Sequence, residues 1–279
     1  MSDNSAIEWT NATWNPVTGC SKVSEGCRNC YAEALSLRFG RSKKPWAAQF
    51  AAENVVPHPE RLMQPLRWRD SRMIFVNSMS DLFHERVTDD FIGQIFDVMA
   101  RASHHTFQVL TKRPKRMLDW QHRHPQTPLP NVWLGVSVEN QDAADERIPL
   151  LMQVQAAVRF LSCEPLLGPV DLTDVRPSEI EHYDILRGRL YGVGRLAEPQ
   201  TTYPRVDWVI VGGESGPRHR PMDLNWARDL RDQCLEADVP FFFKQVGGRT
   251  PKAGGRELDE QIWDQFPTEP LEEAVAASR

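Results

Sequence analysis

The chain has 279 residues, a formal net charge of -5 and hydrophobic residues at 41% of its positions. This length suits one α/β barrel or two smaller domains, and the negative net charge gives no general attraction to nucleic acid or to an anionic membrane. Residues 1–8 are polar and acidic, and no apolar run reaches the roughly 18 residues that a membrane-spanning helix needs. We therefore expect a cytoplasmic protein that does not contact membranes.

The predicted elements alternate between strand and helix along the chain. A strand over 12–17 leads into a cysteine-rich loop, and a helix over 31–39 places Ala32, Leu35 and Phe39 on one side. An apolar strand over 73–76 precedes a helix that Thr88 caps, and a later helix follows the capping residue Asp223. Further strands are predicted at 106–110, 131–136, 158–161, 206–211 and 240–243, with another helix at about 142–153.

Apolar strands separated by helices are typical of a parallel sheet that is covered on both faces. The pattern predicts the α/β class, as an incomplete (β/α) barrel of about six to seven parallel strands over residues 1–248. Within it, an insertion at about 169–203 is interpreted as a lid or a substrate-contacting segment. Residues 249–279 are predicted to be a polar C-terminal tail with a disordered end from 268 to 279.

Three of the five cysteines lie close together after the first strand. Cys20, Cys27 and Cys30 form a C-x6-C-x2-C pattern, and thiolates grouped in this way are soft ligands for a metal or an iron-sulfur cluster. Three ligands are one short of a closed tetrahedral site, so that either a histidine or a distant cysteine completes a structural zinc site, or the fourth position is open. Incidental or disulfide-bonded cysteines are the alternative.

Polar residues follow almost every predicted strand. In parallel α/β folds the carboxyl ends of the strands meet on one rim, which is where binding sites lie. We therefore expect one concave site that includes the cysteine loop. The rim candidates are Asn77, Ser78, Asp81, Lys112, Arg113, Ser137, Glu139, Cys163, Glu164, Gly212, Gly213, Glu214, Lys244 and Gln245. For the carboxylates the alternative is an ordinary salt bridge, and for Cys163 it is a place in the hydrophobic core.

Three motifs carry a resemblance to known proteins. They are Thr-Trp-Asn-Pro-Val-Thr-Gly-Cys at 13–20, Ser-Met-Ser-Asp-Leu-Phe-His at 78–84 and Val-Gly-Gly-Glu-Ser-Gly at 211–216. The chain resembles a phage-associated, uncharacterised three-cysteine family, and its cysteine loop with repeated strand-helix units is similar to the radical S-adenosylmethionine superfamily. The superfamily's usual spacing is C-x3-C-x2-C, whereas six residues separate Cys20 from Cys27 here.

The resemblance implies a 4Fe-4S cluster on Cys20, Cys27 and Cys30, with one iron free to chelate S-adenosyl-L-methionine. Reduction by a donor such as flavodoxin or ferredoxin then yields a deoxyadenosyl radical. Residues 77–81 are the first choice for holding the methionine moiety, and Gly212-Gly213-Glu214 resembles the superfamily's run that contacts the cofactor amino group. The full set of expected cofactor-binding residues is Asn77, Ser78, Asp81, Ser137, Glu139, Glu164, Gly212, Gly213 and Glu214. Cys163 is a candidate hydrogen-atom donor or fourth ligand, and Lys112 and Lys244 are further catalytic candidates.

Two basic runs, 112–116 and 218–220, suit phosphate or carboxylate groups. The expected substrate-binding residues are Arg113, Arg218, His219 and Arg220, which favour a nucleotide or nucleic acid substrate; solvated surface charge is the alternative. The sequence thus predicts a radical S-adenosylmethionine-like enzyme. Competing hypotheses are a zinc-binding, non-enzymatic interaction or nucleic-acid-associated protein, and an enzyme that keeps the barrel but has lost radical chemistry.

Overall fold

A computed structural model describes residues 5–125, 127–176, 178, 180–191, 203–250 and 252–267. Its main feature is a seven-stranded parallel sheet in which neighbouring strands follow the order of the chain. The strands are β1 Ala12–Trp14, β2 Met73–Val76, β3 Thr106–Thr111, β4 Val132–Ser137, β5 Val158–Cys163, β6 Trp208–Gly212 and β7 Phe241–Gln245. With its covering helices this sheet is a half-barrel, which confirms the predicted α/β incomplete barrel.

Five longer helices accompany the sheet: α1 Tyr31–Arg38, α2 Asp89–Arg101, α3 Pro114–Arg123, α4 Gln141–Gln153 and α5 Leu224–Glu236. The predicted caps are confirmed, since Thr88 Oγ1 accepts a hydrogen bond from the Phe91 amide at 3.3 Å and Asp223 Oδ1 accepts one from the Asn225 amide at 2.9 Å. Helix α3 was not predicted. Its start coincides with the basic run 112–116, although Pro114 at its first position is a regular signal for a helix N-terminus.

Short elements fill the connections. The antiparallel pairs are Val17–Thr18 with Val56–Pro57, His182–Asp184 with Arg189–Tyr191, and Glu257–Leu258 with Gln261–Ile262. Single helical turns cover Glu25–Cys27, Ala48–Phe50, Ala51–Asn54, Pro59–Arg61 and Pro65–Arg67. The first of these pairs lies beside the cysteine loop and the first turn lies within it, and both give the loop a defined shape.

Strand alternation separates the buried side chains into two layers. Residues such as Val109 and Leu161 face the helices and share a hydrophobic core with Ile92 and Leu151. The opposite, concave face carries a second cluster, here called the aromatic layer: Trp9, Phe75, Trp133, Phe160, Trp208 and Phe242. The half-barrel is therefore filled by rings at the amino-terminal half of its strands.

The described part of the insertion packs on the helix side of the sheet. Val170, Leu172 and Val175 are buried in the main core, and Gln233 on α5 accepts a hydrogen bond from the Leu172 amide at 2.7 Å. These residues therefore belong to the core and do not form a lid over the rim. Residues 192–202 of the insertion lie outside the described residues.

The predicted tail also packs against the sheet over its described part. The Phe243 amide donates to the Trp263 carbonyl at 2.8 Å, and the Gln265 amide donates to the Phe241 carbonyl at 3.2 Å, so that this segment covers the edge strand β7. The ring of Phe266 lies 5.1 Å from that of Trp208. Residues 268–279, predicted to be disordered, lie outside the described residues. No helix in the described ranges is long and apolar enough to cross a membrane.

Candidate functional site

The concave face changes from aromatic to polar toward the carboxyl ends of the strands. Side chains on one face of a strand recur every second residue, so the positions beyond the aromatic layer also point into the half-barrel. We call these positions the polar rim: Asn77, Lys112, Ser137, Glu164, Gly212 and Lys244. A Cβ atom on Gly212 would lie 3.5 Å from both Glu164 and Lys244, which places these three residues together.

The cysteine loop leaves β1 and is attached to the end of β2. The Gly19 amide donates to the Met79 carbonyl at 2.9 Å, Ser80 Oγ donates to the Val17 carbonyl at 3.0 Å, and the Val17 amide donates to Asn77 Oδ1 at 3.2 Å. Gly19 has a φ of +80°, and a Cβ atom there would lie 1.8 Å from the Asn54 carbonyl oxygen. Only glycine fits this position, directly before Cys20.

A buried arginine supports the first cysteine. The Arg113 guanidinium donates to Asp81 Oδ2 at 3.2 Å, to the Ser21 carbonyl at 3.0 Å, to Glu85 Oε1 at 3.1 Å and to Cys20 Sγ at 3.6 Å. Both Arg113 and Asp81 are less than 8% exposed. The structure thus gives these two residues protein partners, although the sequence analysis assigned them to substrate and cofactor.

A second ion pair supports the middle of the loop. Arg147 donates to both carboxylate oxygens of Glu139, at 2.7 and 3.2 Å, and the Gly26 amide donates to Glu139 Oε1 at 3.4 Å. Burial opposes ionisation of Glu139, but Lys112 and Arg147 outweigh it and hold the pKa of this carboxyl below its ordinary value. Arg147 is not among the residues predicted from the sequence, where its signal is a charge within an otherwise apolar helix face.

The Gly-Gly-Glu run forms a third support. Glu214 accepts hydrogen bonds from Arg220 at 2.6 Å and from Asn29 of the cysteine loop at 2.9 Å. Arg220 Nη1 also donates to the carboxylate of Glu25, in the same loop, at 3.1 Å. Burial opposes ionisation of Glu214, and the hydrogen bonds from Arg220 and Asn29 outweigh it, so its pKa lies below the ordinary value. Gly213 is required here, because a Cβ atom would lie 1.9 Å from the Val246 carbonyl oxygen.

Other contacts at the rim and beside it are separate pairs. Lys244 Nζ lies 2.6 Å from Glu164 Oε1, and Tyr31 Oη donates to the Ser78 carbonyl at 2.7 Å. Of the predicted substrate group, His219 Nδ1 lies 3.0 Å from the Gly216 carbonyl oxygen. Arg218 is exposed beside the rim and has no carboxylate partner in the part of the chain that the structure describes.

Asn77 of the polar rim and Gln245, the neighbour of Lys244, each carry a buried polar atom without a partner among the described residues. These atoms are Asn77 Nδ2, a donor, and Gln245 Oε1, an acceptor. Asn77 also has a φ of +61°, a left-handed conformation that costs a non-glycine residue free energy. Unpaired buried polar atoms are unfavourable, and because both atoms have almost no accessible surface, a ligand could pair with them only after a local side-chain movement.

The three loop cysteines are free and half-buried. Burial and the nearby Asp81 raise the pKa of Cys20 to about 12, against the opposing effect of Arg113, and burial also raises the pKa of Cys30. Cys27 contributes to both shifts, so its thiol lies within electrostatic reach of the other two. No group of three His, Cys, Asp or Glu side chains within the described ranges has a metal-binding arrangement. The donor set fits a thiolate-bound group by its chemistry, and binding would release the thiol protons.

The other two cysteines lie elsewhere. Cys163 and Cys234 are fully buried in the core between sheet and helices. Burial raises the pKa of Cys163 to about 12, and the pKa of Cys234 is raised by burial and by its neighbour Cys163. Cys163 therefore faces the helices, away from the polar rim where the sequence analysis placed it as a hydrogen-atom donor.

The fold and site define an α/β half-barrel protein with a cysteine loop held over a polar rim. The chain belongs to the family described as "Protein of unknown function (DUF5131)", whose model matches residues 4–267. No curated protein and no solved structure matches the chain.

Proposed function

We propose that this protein is a radical S-adenosylmethionine-like iron-sulfur enzyme. The observation that supports this proposal best is the position of the three free, half-buried cysteines on a loop held over the polar rim. Three separate supports, from Arg113, Glu139 and Glu214, contact this short loop. These contacts fix the position of the loop and of its three thiol groups, as a site that binds a cluster requires.

Cys20, Cys27 and Cys30 would hold a 4Fe-4S cluster, which supplies the one-electron reduction that splits S-adenosyl-L-methionine into methionine and a deoxyadenosyl radical. Arg113 would then stabilise Cys20 as a thiolate through the existing contact at 3.6 Å. The raised pKa of Cys20 in the free protein means that cluster binding must release a proton there. The cytoplasm, where thiols stay reduced, is the compartment that suits this chemistry.

The cofactor would lie along the polar rim below the loop. The unpaired Asn77 amide would donate to a carboxylate, and Glu164 and Ser137 would accept from or donate to hydroxyl groups. Gln245 Oε1 is an unpaired acceptor beside Glu164 of the rim, to which Gln245 Nε2 donates at 3.4 Å. Glu139 and Glu214, which the sequence analysis assigned to the cofactor directly, would act through the loop that they support.

Lys112 and Lys244 are the cations that face the interior of the rim. They would position an anionic group of the substrate, with Arg218 at the entrance; a nucleotide or nucleic acid carries such groups. The reaction also needs an electron donor such as flavodoxin or ferredoxin.

Anaerobic purification, iron and sulfide analysis and an electron paramagnetic resonance spectrum of the reduced protein test the proposal. We expect about four irons per chain, as in a 4Fe-4S cluster, and a spectrum that changes when S-adenosylmethionine is added. Cys27→Ala should lose the iron, whereas the core variant Cys234→Ala should retain it. One tightly bound zinc without iron would overturn the proposal and favour a structural zinc loop. Iron whose spectrum does not respond to S-adenosylmethionine would exclude the proposed radical reaction.

A further inference from the structure

Helix α1 carries an apolar stripe on the surface of the protein. The sequence pattern places Ala32, Leu35 and Phe39 on one side of this helix, and of these three only Ala32 is buried. Leu35 is 37% exposed, Phe39 at the end of the helix is 61% exposed, and Tyr31 is 48% exposed. Residues four apart lie on the same side of a helix, so these three side chains form a continuous exposed stripe.

Four exposed cations lie at the end of this stripe or follow it closely in the chain: Arg38, Arg41, Lys43 and Lys44. The Cζ atoms of Arg38 and Arg41 lie 5.7 and 5.8 Å from the centroid of the Phe39 ring. Lys44 Nζ lies 5.2 Å from the centroid of the Phe50 ring. Residues 34–52 contain no Asp or Glu, and none of the four cations pairs with a carboxylate of the described chain. This is a concentrated positive charge in a protein with a net charge of -5.

The stripe is continuous with the candidate site. Cys30 immediately precedes α1, and Tyr31 donates a hydrogen bond to the carbonyl of Ser78, which follows the rim residue Asn77. Eight helical residues extend over about 12 Å. A ligand bound along α1 would therefore have one end at the rim and the other beside Phe39.

We propose that this surface, consisting of Tyr31, Leu35, Arg38, Phe39 and Arg41, binds single-stranded nucleic acid. Proteins bind single strands by stacking bases on aromatic side chains and by neutralising phosphates with Lys and Arg. Phe39 offers an exposed ring on which a base can stack, and the guanidinium groups of Arg38 and Arg41 beside it can bind phosphates. Bases that are already paired and stacked in a duplex cannot stack on this ring. An acidic protein would use the cations but would gain little from the ring.

The role of the bound strand as a substrate depends on the function proposed above, whereas the binding itself does not. Fluorescence anisotropy with labelled single-stranded RNA and DNA of about 12 nucleotides measures binding to the full chain, with or without iron. We expect saturable binding that Phe39→Ala weakens roughly 5- to 150-fold through loss of one stacked base. Arg38→Ala/Arg41→Ala should lower the slope of log K against log salt by about 1.4, at about 0.7 for each lost phosphate contact.

The matched control is Arg67→Ala/Arg101→Ala, which removes two exposed cations near the amino-terminal ends of β2 and β3. It should leave both affinity and salt slope unchanged, and circular dichroism checks that every variant is folded. Equal affinity for duplex, equal losses in the control variant, or no saturable binding of either single strand would overturn the proposal. Binding of flavodoxin instead, weakened by Arg38→Ala/Arg41→Ala, would assign the surface to an acidic protein. Iron analysis of the same samples keeps failure of this inference separate from failure of the enzyme proposal.

Discussion

The same strands build both halves of the concave face, but aromatic side chains line one half and polar or charged side chains line the other. In β5, Phe160 belongs to the aromatic layer, and Glu164, four residues later, belongs to the polar rim. The same change takes place between Phe242 and Lys244 at β7. Because alternate residues of a strand share a face, a few residues suffice to pass from a sealed core to a binding site. The stability and the chemistry of this protein are therefore separated along its strands.

Buried side chains also have different partners in the two halves: aromatic rings in the one, and opposite charges in the other. Trp208 packs in the aromatic layer with ring centroids 5.1–6.3 Å from five other rings, those of Trp9, Trp133, Phe160, Phe242 and Phe266. At the rim and its loop, buried charges have oppositely charged partners, as in Glu139 with Arg147 and Asp81 with Arg113. Pairing offsets the cost of desolvation but seldom adds much stability.

The largest effect is expected in the aromatic layer. Trp208→Ala should lower the free energy of unfolding by about 4 kcal/mol, because it removes a fully buried ring and leaves a cavity among the others. Urea denaturation followed by circular dichroism measures the change. Phe39→Ala, at an exposed ring, should cost less than about 0.5 kcal/mol. Similar losses in both variants would contradict the separation of core and surface aromatics.

Breaking one ion pair of the loop support should have the next largest effect. Arg147→Met should cost about 3 kcal/mol, because Glu139 is left as a buried charge without its main partner. The double variant Arg147→Met/Glu139→Met should recover part of this loss in the same denaturation experiment, since it leaves no buried charge. A double variant as unstable as the single one would show that the charges themselves hold the loop.

Acidification tests the ion pairs that support the cysteine loop without affecting the aromatic layer. Glu139 and Glu214 have pKa values below the ordinary value of 4.5, so their contribution to stability is complete above that pH. It is lost as the pH falls through their folded-state pKa values. Urea denaturation between pH 7 and pH 3 should show this loss, and Glu139→Gln/Glu214→Gln should flatten the dependence. An unchanged profile in that variant would assign the acid sensitivity to other carboxyls.

The smallest effect on stability is expected at the cysteine loop, where the informative measurement is thiol reactivity. In metal-free native protein, a chromogenic disulfide should react with Cys20, Cys27 and Cys30, and with Cys163 and Cys234 only after unfolding, because the last two are fully buried. Reaction at Cys20 should accelerate with rising pH, since its pKa is about 12. Rapid native labelling of Cys163 would contradict its place in the core.

Much of the fold could be predicted because its signals are local. Apolar runs located the seven strands of the sheet to within a few residues, and hydroxyl or carboxylate caps marked the starts of α2 and α5. Parallel strands place their carboxyl ends together, so the rim followed from the strand order alone. Helix α3 was the main omission. The basic run 112–116 indicated a ligand-binding or surface segment, so the apolar residues Met117, Leu118 and Trp120 that follow it were not assigned to a helix.

The sequence by itself determined the half-barrel, the position of the cysteine loop and the list of polar residues beyond the strands. Only the tertiary structure decided which of those residues are available. It paired Arg113 with Asp81 and Glu139 with Arg147, turned Cys163 toward the helices, and left Phe39 in solvent. The physical reason is range: periodicity and caps depend on neighbours within a few residues, whereas charge pairing and burial depend on side chains far apart in the chain. Asp81 and Arg113 are 32 residues apart, and Asn29 and Glu214 are 185 apart.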